Sequence, residues 1–293
     1  MANTRDIRRR IKSVKSTSQI TRAMQMVAAS KMNKAQQAAL AGRPYAALMR
    51  QVLAQVIRHT VGYQDPLMEL REPRRRAVVV VSPDKGLCGA LIMNVLREAL
   101  KYEAADTVYV AVGRKASQIL SRMRRRVVAE FAFGDPPLFR EARAISRCAQ
   151  ELFTKGEVDR VEVVFASFVS SLVQRTESFT LLPMTDQTLL PVASGSPAGD
   201  EQRLPYGAAE FVFEPSAEEV YGALLPHSLN FRMFQILLEV KASEHSARMV
   251  AMRNANDNAQ QLMRELTLDY NQIRQAGITQ EILEISGSGG NAA

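Results

Sequence analysis

The chain has 293 residues and a mass of 32.5 kDa, with 46% hydrophobic and 23% charged residues and no Trp. This composition excludes a disordered, a collagen-like or a disulfide-stapled protein, because the chain is long enough to bury a core and carries only two cysteines. The net charge is +8, and residues 1–76 alone carry +12 whereas residues 216–293 carry −3. The basic excess therefore belongs to the amino-terminal end.

Residues 4–60 are predicted to form a helix. Their apolar side chains follow the alternating spacing of three and four that places residues on one helical stripe. The predicted stripe contains Ile7, Ile11, Val14, Ile20, Met24 and Val27. Gly42 and Pro44 are expected to kink the helix or divide it, and residues 63–76 are predicted to form a connector.

From Ala77 onward the pattern changes to short β-branched runs separated by helical segments. The run AVVVV at 77–81 is typical of a strand buried on both faces of a parallel sheet, and it is far shorter than the roughly 20 residues that span a bilayer. Strands are predicted near 77–82, 107–112, 127–131 and 161–168, helices near 89–104, 114–125 and 138–154, and an edge strand at 176–182. The alternation indicates a mainly parallel sheet, followed by a predicted mobile loop at 183–207.

The last third of the chain is predicted to be a second long helix. Ser216 and Glu219 form a capping-box pattern at its start. A sustained heptad follows, with members Phe231, Phe234, Leu238, Ala242, His245, Met249, Met252, Asn256, Ala259, Met263, Leu266, Tyr270, Ile273, Gly277 and Gln280. A helix of this length needs a helical partner, and the amino-terminal helix is the other long one.

The sequence therefore predicts an α+α/β fold. Its two end helices pair as a long antiparallel coiled coil, and a Rossmann-like α/β domain with a mainly parallel sheet is inserted between them. The predicted boundaries are 1–62 for the first coiled-coil helix, 63–76 for the connector, 77–215 for the α/β domain, 216–286 for the second coiled-coil helix and 287–293 for a flexible tail.

Catalytic motifs are missing from the sequence, which contains no P-loop, no GxGxxG after a strand and no GxSxG. No metal ligand set and no cofactor site is predicted, and His59, His227 and His245 stand singly. The loop from Ser82 to Gly89 follows the first strand and contains two glycines, so a nucleotide-binding α/β protein is one alternative. Tight turning explains the same glycines, and it is the favoured interpretation.

The basic amino-terminal helix allows a second alternative, a coiled-coil protein that binds nucleic acid. It contains Arg8, Arg9, Arg10, Lys12 and Lys15, but its first forty residues hold no aromatic side chain that could stack on bases. A helix surface that faces solvent or a partner protein is favoured instead. At the other end, residues 270–285 carry few charges and have apolar residues on several sides, which indicates enclosure by a partner protein.

Three segments closely resemble the gamma subunit of F-type ATP synthases. They are IRRRIKSVKSTSQITRAMQMVAASKMNKAQ at 7–36, SPDKGLCGALIMNV at 82–95, and SEHSARMVAMRNANDNAQQLMRELTLDYNQIRQAGITQEILEI at 243–285. The resemblance covers both end helices and the first strand and loop of the insertion, whereas residues 113–230 match in layout only. The chain looks bacterial, because it has neither a transit peptide nor the inserted cysteine pair of the chloroplast form.

The resemblance implies a rotor subunit that catalyses no reaction itself. In that family, the coiled coil turns inside a hexamer of alpha and beta subunits, and the α/β domain sits on the membrane ring of c subunits beside epsilon. Proton flow turns the ring, and the coiled coil drives ATP synthesis at the beta subunits. The expected location is the cytoplasmic face of the bacterial inner membrane, with attachment through the c-ring and no role for nucleic acid.

The resemblance also assigns partner contacts by matching position. Arg248, Arg274, Gln275 and Thr279 fall where the family's C-terminal helix hydrogen-bonds beta subunits. Met24 falls where the amino-terminal helix passes the acidic loop of beta, although ordinary coiled-coil packing explains a methionine there equally well. Arg9, Arg10 and Lys12 are candidates for complementary charge near that loop.

Overall fold

The computed structural model describes residues 4–60, 65–185 and 213–288. The chain divides into two compact units. We call Met1–Ala28 together with Arg248–Ala293 the arm unit, and Ala29–Ala247 the globular unit.

The amino-terminal helical region is divided at Gly42, as its sequence predicts. Helix α1 spans Thr4–Ala41 and helix α2 spans Arg43–His59, with Pro44 in the first turn of α2. A Cβ atom on Gly42 would lie 1.9 Å from the side-chain nitrogen of Gln235. Glycine therefore permits a close approach between this break and the last helix of the chain. A short 3₁₀ turn at Pro66–Met68 follows within the predicted connector.

A five-stranded sheet forms the centre of the globular unit. Its strands are β1 (Arg76–Val81), β2 (Thr107–Val112), β3 (Val127–Phe131), β4 (Arg160–Phe168) and β5 (Gln174–Leu182). The helices between them are α3 (Leu91–Ala99), α4 (Arg114–Arg122) and α5 (Phe139–Thr154). The strand order is β3-β2-β1-β4-β5, with β1 to β4 parallel and β5 antiparallel at the edge. The mainly parallel sheet predicted from the sequence is confirmed.

Each face of the sheet supports its own core, because alternate side chains of a strand point to opposite faces. Val79, Val81 and neighbours on β2 and β4 pack against α2, α5 and the last helix, α6 (Ala217–Ser288). Val78 and Val80 face α3 and α4 on the other side. Because both faces are covered, the inner strands are valine-rich runs without alternation.

Helix α6 spans Ala217–Ser288, a length of 72 residues. The amide of Glu219 donates to the Ser216 Oγ at 3.2 Å, so serine caps the helix as its sequence pattern predicts. The helix continues through Pro226 and ends two residues beyond the predicted boundary at 286. Heptad members through Ile273 are buried or half-buried, whereas Gly277 and Gln280 are exposed.

The buried stripe of α1 departs from its prediction in one respect. Ile7 is buried, and Ile11, Val14 and Met24 are half-buried, but Ile20 and Val27 are each 57% exposed. From Val14, steps of four and three lead instead to small or polar side chains. The stripe continues through Ser18, Thr21, Gln25, Ala28 and Met32, all of which are buried or half-buried. Prediction from apolar residues alone missed this change because the arm unit packs small polar groups.

Parts of two predicted segments lie outside the described residues. Residues 186–207 of the predicted mobile loop at 183–207 lie outside the described residues. The start of that segment is described, and Met184 is buried and donates its amide to the Leu67 carbonyl at 2.8 Å. Of the predicted flexible tail, residues 287 and 288 belong to α6 and residues 289–293 lie outside the described residues.

Candidate functional site

Helices α1 and α6 pair in antiparallel directions within the arm unit. The Arg8 guanidinium donates to the Tyr270 hydroxyl at 2.7 Å and lies over its ring, 5.5 Å from the centroid. The Ser18 hydroxyl donates to the Asn256 Oδ1 at 2.8 Å. Residue numbers rise along α1 as they fall along α6, so these two contacts fix both the direction and the register of the pair. Antiparallel pairing, predicted from the two long helices, is confirmed.

The carboxyl-terminal part of α6 exposes three of the predicted contact residues. Arg274, Gln275 and Thr279 are all exposed, and the Thr279 hydroxyl donates to the Gln275 backbone carbonyl at 2.9 Å. Ile278, Ile282 and Leu283 are 48%, 60% and 64% exposed on the same part of the helix. We call residues 274–283 the tip. Apolar side chains interleaved with hydrogen-bonding groups suit a protein interface, where an apolar centre is combined with a few polar contacts.

The other predicted contact residues lie at two further levels of the arm unit. Met24 and Arg248 are both half-buried. Met24 follows Ser18 by six residues and Arg248 precedes Asn256 by eight, so the register places them only about 3 Å apart in height.

The basic side chains of α1 lie elsewhere. Arg9, Arg10 and Lys12 are exposed, and at 1.5 Å per residue they lie roughly 20 Å along α1 from Met24. They are level with the part of α6 around Tyr270, because Arg8 contacts that residue. The structure therefore brings Met24 and Arg248 to one level of the arm unit and the three basic residues to another.

The loop from Ser82 to Gly89 serves the fold through its polar groups. The Ala116 amide donates to the Ser82 Oγ at 2.8 Å, and the Arg114 amide donates to the Asp84 Oδ1 at 2.9 Å. Both donors belong to the first turn of α4, so the loop after β1 caps the helix after β2. Cys88 is buried. The Ser82 and Asp84 side chains are thus engaged in packing the start of α4, which favours the structural interpretation of the loop.

A polar cluster on α6 is the feature that sequence reasoning missed. Glu239, Lys241, Glu244, His245 and Ser246 lie within the globular unit and are buried or nearly so. The heptad pattern placed only His245 on a packed stripe. The available signal was the density of polar residues in a helix segment whose neighbours on the amino-terminal side are apolar.

Among residues 4–60, 65–185 and 213–288, no group of three or more His, Cys, Asp or Glu side chains is arranged to hold a metal ion. None of the described helices combines the length and apolar character that crossing a membrane requires.

Comparison with known proteins decides the family. The family model described as ATP synthase matches residues 3–292. The ATP synthase gamma chain of Opitutus terrae is 46% identical over 287 residues, which cover 98% of this chain and 97% of that protein. That of Methylacidiphilum infernorum is 42% identical over 291 residues and covers 98% of both chains. The chain belongs to the ATP synthase gamma chain family.

Solved structures share the fold of this gamma-family chain. The rotor of the Euglena gracilis mitochondrial ATP synthase matches with a TM-score of 0.66 at 18% identity, over 94% of this chain and 98% of that chain. The central stalk and c-ring structure from Tetrahymena thermophila gives a TM-score of 0.59 at 24% identity, over 80% and 99% of the two chains. These matches confirm the predicted fold class of terminal helices around a central sheet.

Proposed function

We propose that this chain is the central-stalk rotor subunit of a proton-translocating ATP synthase, in which it couples rotation of a c-ring to ATP synthesis or hydrolysis on beta subunits. The observation that carries the proposal is the antiparallel arm unit with its exposed tip, in a chain that belongs to the gamma family. The chain itself holds no catalytic site in this proposal. Its boundaries follow the predicted division into two coiled-coil helices, at 1–62 and 216–286, and an inserted α/β domain.

The arm unit acts as an asymmetric ligand. Helices α1 and α6 differ in sequence, so each direction around the pair presents a different surface to the surrounding subunits. A ligand shifts a conformational equilibrium only through its different affinity for the alternative states. As the arm unit turns, it favours a different state of each of three otherwise equivalent beta subunits in succession.

The predicted contact residues bind beta subunits at two levels of the arm unit. Arg274, Gln275 and Thr279 at the tip donate and accept hydrogen bonds with beta subunits, and Arg248 does so at a second level. Apolar side chains of the tip slide within their enclosure, because apolar contacts are not directional and few fixed ion pairs hold one angle.

The remaining contacts involve acidic groups and the membrane ring. Met24 lies beside the acidic loop of beta, and Arg9, Arg10 and Lys12 contact acidic side chains at their own level of α1. The globular unit binds epsilon and the c-ring, so membrane attachment is indirect. The complex lies on the cytoplasmic face of the bacterial inner membrane, and nucleic acid is not a ligand.

Reconstitution tests this proposal. The purified chain should hydrolyse no ATP alone and should raise the ATPase activity of alpha and beta subunits when it assembles with them. Joint replacement of Arg274→Ala and Gln275→Ala should lower that turnover while the isolated chain keeps its fold. Arg97→Ala with Gln118→Ala provides a matched control, since both residues are exposed on the globular unit.

Three outcomes would count against the proposal. Failure of the wild-type chain to associate with alpha and beta subunits would overturn it. Equal turnover of the wild-type and tip-variant complexes would remove the assignment of Arg274 and Gln275. Nucleotide binding by the isolated chain, or salt-dependent binding of duplex or single-stranded DNA at low salt, would favour the alternative functions.

A further inference from the structure

The globular unit encloses one segment of α6 on all sides. Every residue from Val240 to Ala247 is buried, although an ordinary surface helix buries only one stripe. Val240 belongs to the core on one face of the sheet, and Ala247 packs with the core on the opposite face. Helix α6 therefore crosses the carboxyl-terminal edge of the sheet within this segment, which we call the collar segment.

The loop between β3 and α5 contacts one side of the collar segment. The Lys241 ammonium lies 4.4 Å from the centroid of the Phe133 ring, and the His245 Nε2 lies 3.2 Å from the Asp135 Oδ1. Lys241 also pairs with Glu244 at 3.0 Å, and both side chains are only 4% exposed. Because Lys241 and His245 are four residues apart, they project from one face of the helix toward one loop.

The hairpin between β4 and β5 contributes a second set of hydrogen bonds to the same stretch of helix. The Ser246 hydroxyl donates to the Ser171 carbonyl at 2.7 Å and accepts from the Gln174 side chain at 2.9 Å. Directly before the segment, the Glu239 Oε1 accepts from the Ser167 hydroxyl at 2.7 Å and from the Phe168 amide at 3.1 Å. The helix is thus held by polar contacts from two separate loops.

Asp135 also contacts α1. Its Oδ2 accepts from the Lys31 ammonium at 2.7 Å, so one carboxylate contacts α1 through one oxygen and α6 through the other. Partial burial alone would raise the pKa of Asp135, but the hydrogen bonds from Lys31 and His245 outweigh it and hold that pKa below its ordinary value. The carboxylate is consequently ionised and able to serve both partners at neutral pH.

The loop that carries Asp135 is itself anchored. The Glu141 carboxylate of α5 accepts from the Gly134 amide at 3.1 Å and from the Leu138 amide at 2.8 Å. Asp135 therefore projects from a fixed loop of the globular unit, rather than from a segment that could follow a turning helix.

We propose that Asp135 is a positioning residue for coupling, which locks α1 and α6 against rotation relative to the sheet so that torque passes from the globular unit into both helices. This inference rests on the proposed rotor function. Hydrogen bonds are directional and resist rotation of a helix about its own axis, whereas apolar packing is not directional. The lock at Asp135 and the sliding tip therefore have opposite mechanical roles at two levels of α6.

Charge reversal of the pair tests the lock. Lys31→Asp and Asp135→Lys each place like charges together, whereas the double variant restores an opposite pair. In the reconstituted complex, each single variant should hydrolyse ATP yet pump fewer protons per ATP hydrolysed. The double variant should pump better than Asp135→Lys, because it restores the pair with α1, although it lacks the contact with His245. In the isolated chain, amide exchange of residues 241–247 should rise by about tenfold in each single variant, and it should be slower in the double variant than in Asp135→Lys.

A matched control uses another surface ion pair of the globular unit. Lys101 and Glu98 lie 2.7 Å apart, with exposures of 64% and 28% that resemble the 48% and 32% of Lys31 and Asp135. Reversal of Lys101 and Glu98, singly or together, should leave proton pumping per ATP unchanged. Where a charge-reversed single variant does not assemble, Asp135→Asn replaces it, since this variant keeps the side-chain size and removes the charge and one acceptor.

The outcomes separate the lock from the rotor function. Normal pumping by both single variants, in a complex whose wild-type chain couples, would overturn the lock and leave the rotor function standing. A double variant that pumps no better than Asp135→Lys would also overturn it. A wild-type chain that does not couple would instead contradict the rotor function itself.

Discussion

Replacement of Ser18 or Asn256 by alanine should weaken the pairing of α1 and α6 in a non-additive way. The two side chains form the hydrogen bond of 2.8 Å that fixes the register of the arm unit. Asn256 is 8% exposed and Ser18 is half-buried, so water replaces this bond only in part. A buried polar pair in a coiled coil commonly sets register in this manner.

The magnitudes follow from burial. Ser18→Ala leaves the Asn256 carbonyl oxygen without its donor in a nearly buried position, which costs about 1–2 kcal/mol of unfolding free energy. Asn256→Ala leaves the half-exposed Ser18 hydroxyl within reach of water and costs about 1 kcal/mol. The double variant removes both groups, so its loss should be about 1 kcal/mol smaller than the sum of the single losses.

A double-mutant cycle in urea measures this difference. The four proteins are unfolded while helix content and amide exchange in the arm unit are followed. A parallel cycle with Arg8→Gln and Tyr270→Phe provides the comparison, because that exposed contact should couple by only about 0–1 kcal/mol. Strict additivity at Ser18 and Asn256, within about 0.3 kcal/mol, would show that the residues do not touch and would refute the register.

Two further substitutions test the globular unit. Gly113→Ala should lower the unfolding free energy by about 3 kcal/mol in urea titrations, because the residue has a φ of +98° and its Cβ would lie 2.0 Å from the Ser82 carbonyl oxygen. Glu239→Gln should raise stability at pH 7, since burial raises the pKa of Glu239 and the folded state disfavours its ionised form. This gain should largely vanish as the pH falls to about 4, where the carboxyl is mostly protonated in both states.

Each substitution has its own control. Gly156→Ala shares a positive φ of +70° with open space around the new Cβ, so it should cost only about 1 kcal/mol. Equal losses at Gly113 and Gly156 would mean that contact with Ser82 is unimportant. For Glu239, a glutamine variant whose stability difference from wild type is the same at pH 4 and pH 7 would contradict the burial argument.

Much of the fold could be predicted because local patterns carry it. The run AVVVV from 77 to 81 has no polar interruption, so it specifies a strand covered on both faces. Gly42 divides the first helical region where its sequence indicates. The heptad of α6 holds through Ile273, since its spacing reflects one continuous buried stripe.

The errors and omissions arose where packing joins distant residues. The α1 stripe turns to Ser18 because the opposing surface of α6 offers Asn256, and apolar spacing cannot reveal a polar partner 238 residues away. Asp135 and His245 are likewise 110 residues apart. No local sequence pattern indicates that Asp135, the residue before Pro136, contacts both α1 and α6.

The candidate tip was found for a different reason. Its few charges and its apolar residues on several sides mark residues 270–285 as unusual, and the structure leaves Ile278, Ile282 and Leu283 exposed. The particular roles of Arg274, Gln275 and Thr279 come from resemblance to the gamma family. Spacing alone shows that these side chains share one stretch of helix.

Rotation of the assembled chain tests the central claim most directly. A probe attached through Leu70→Cys, at a side chain that is 77% exposed on the globular unit, can be watched after the alpha and beta subunits of the complex are fixed to a surface. The proposed rotor function predicts unidirectional rotation of the probe that starts when ATP is added and stops when it is exhausted. ATP hydrolysis by the same complexes with a stationary or randomly moving probe would contradict it.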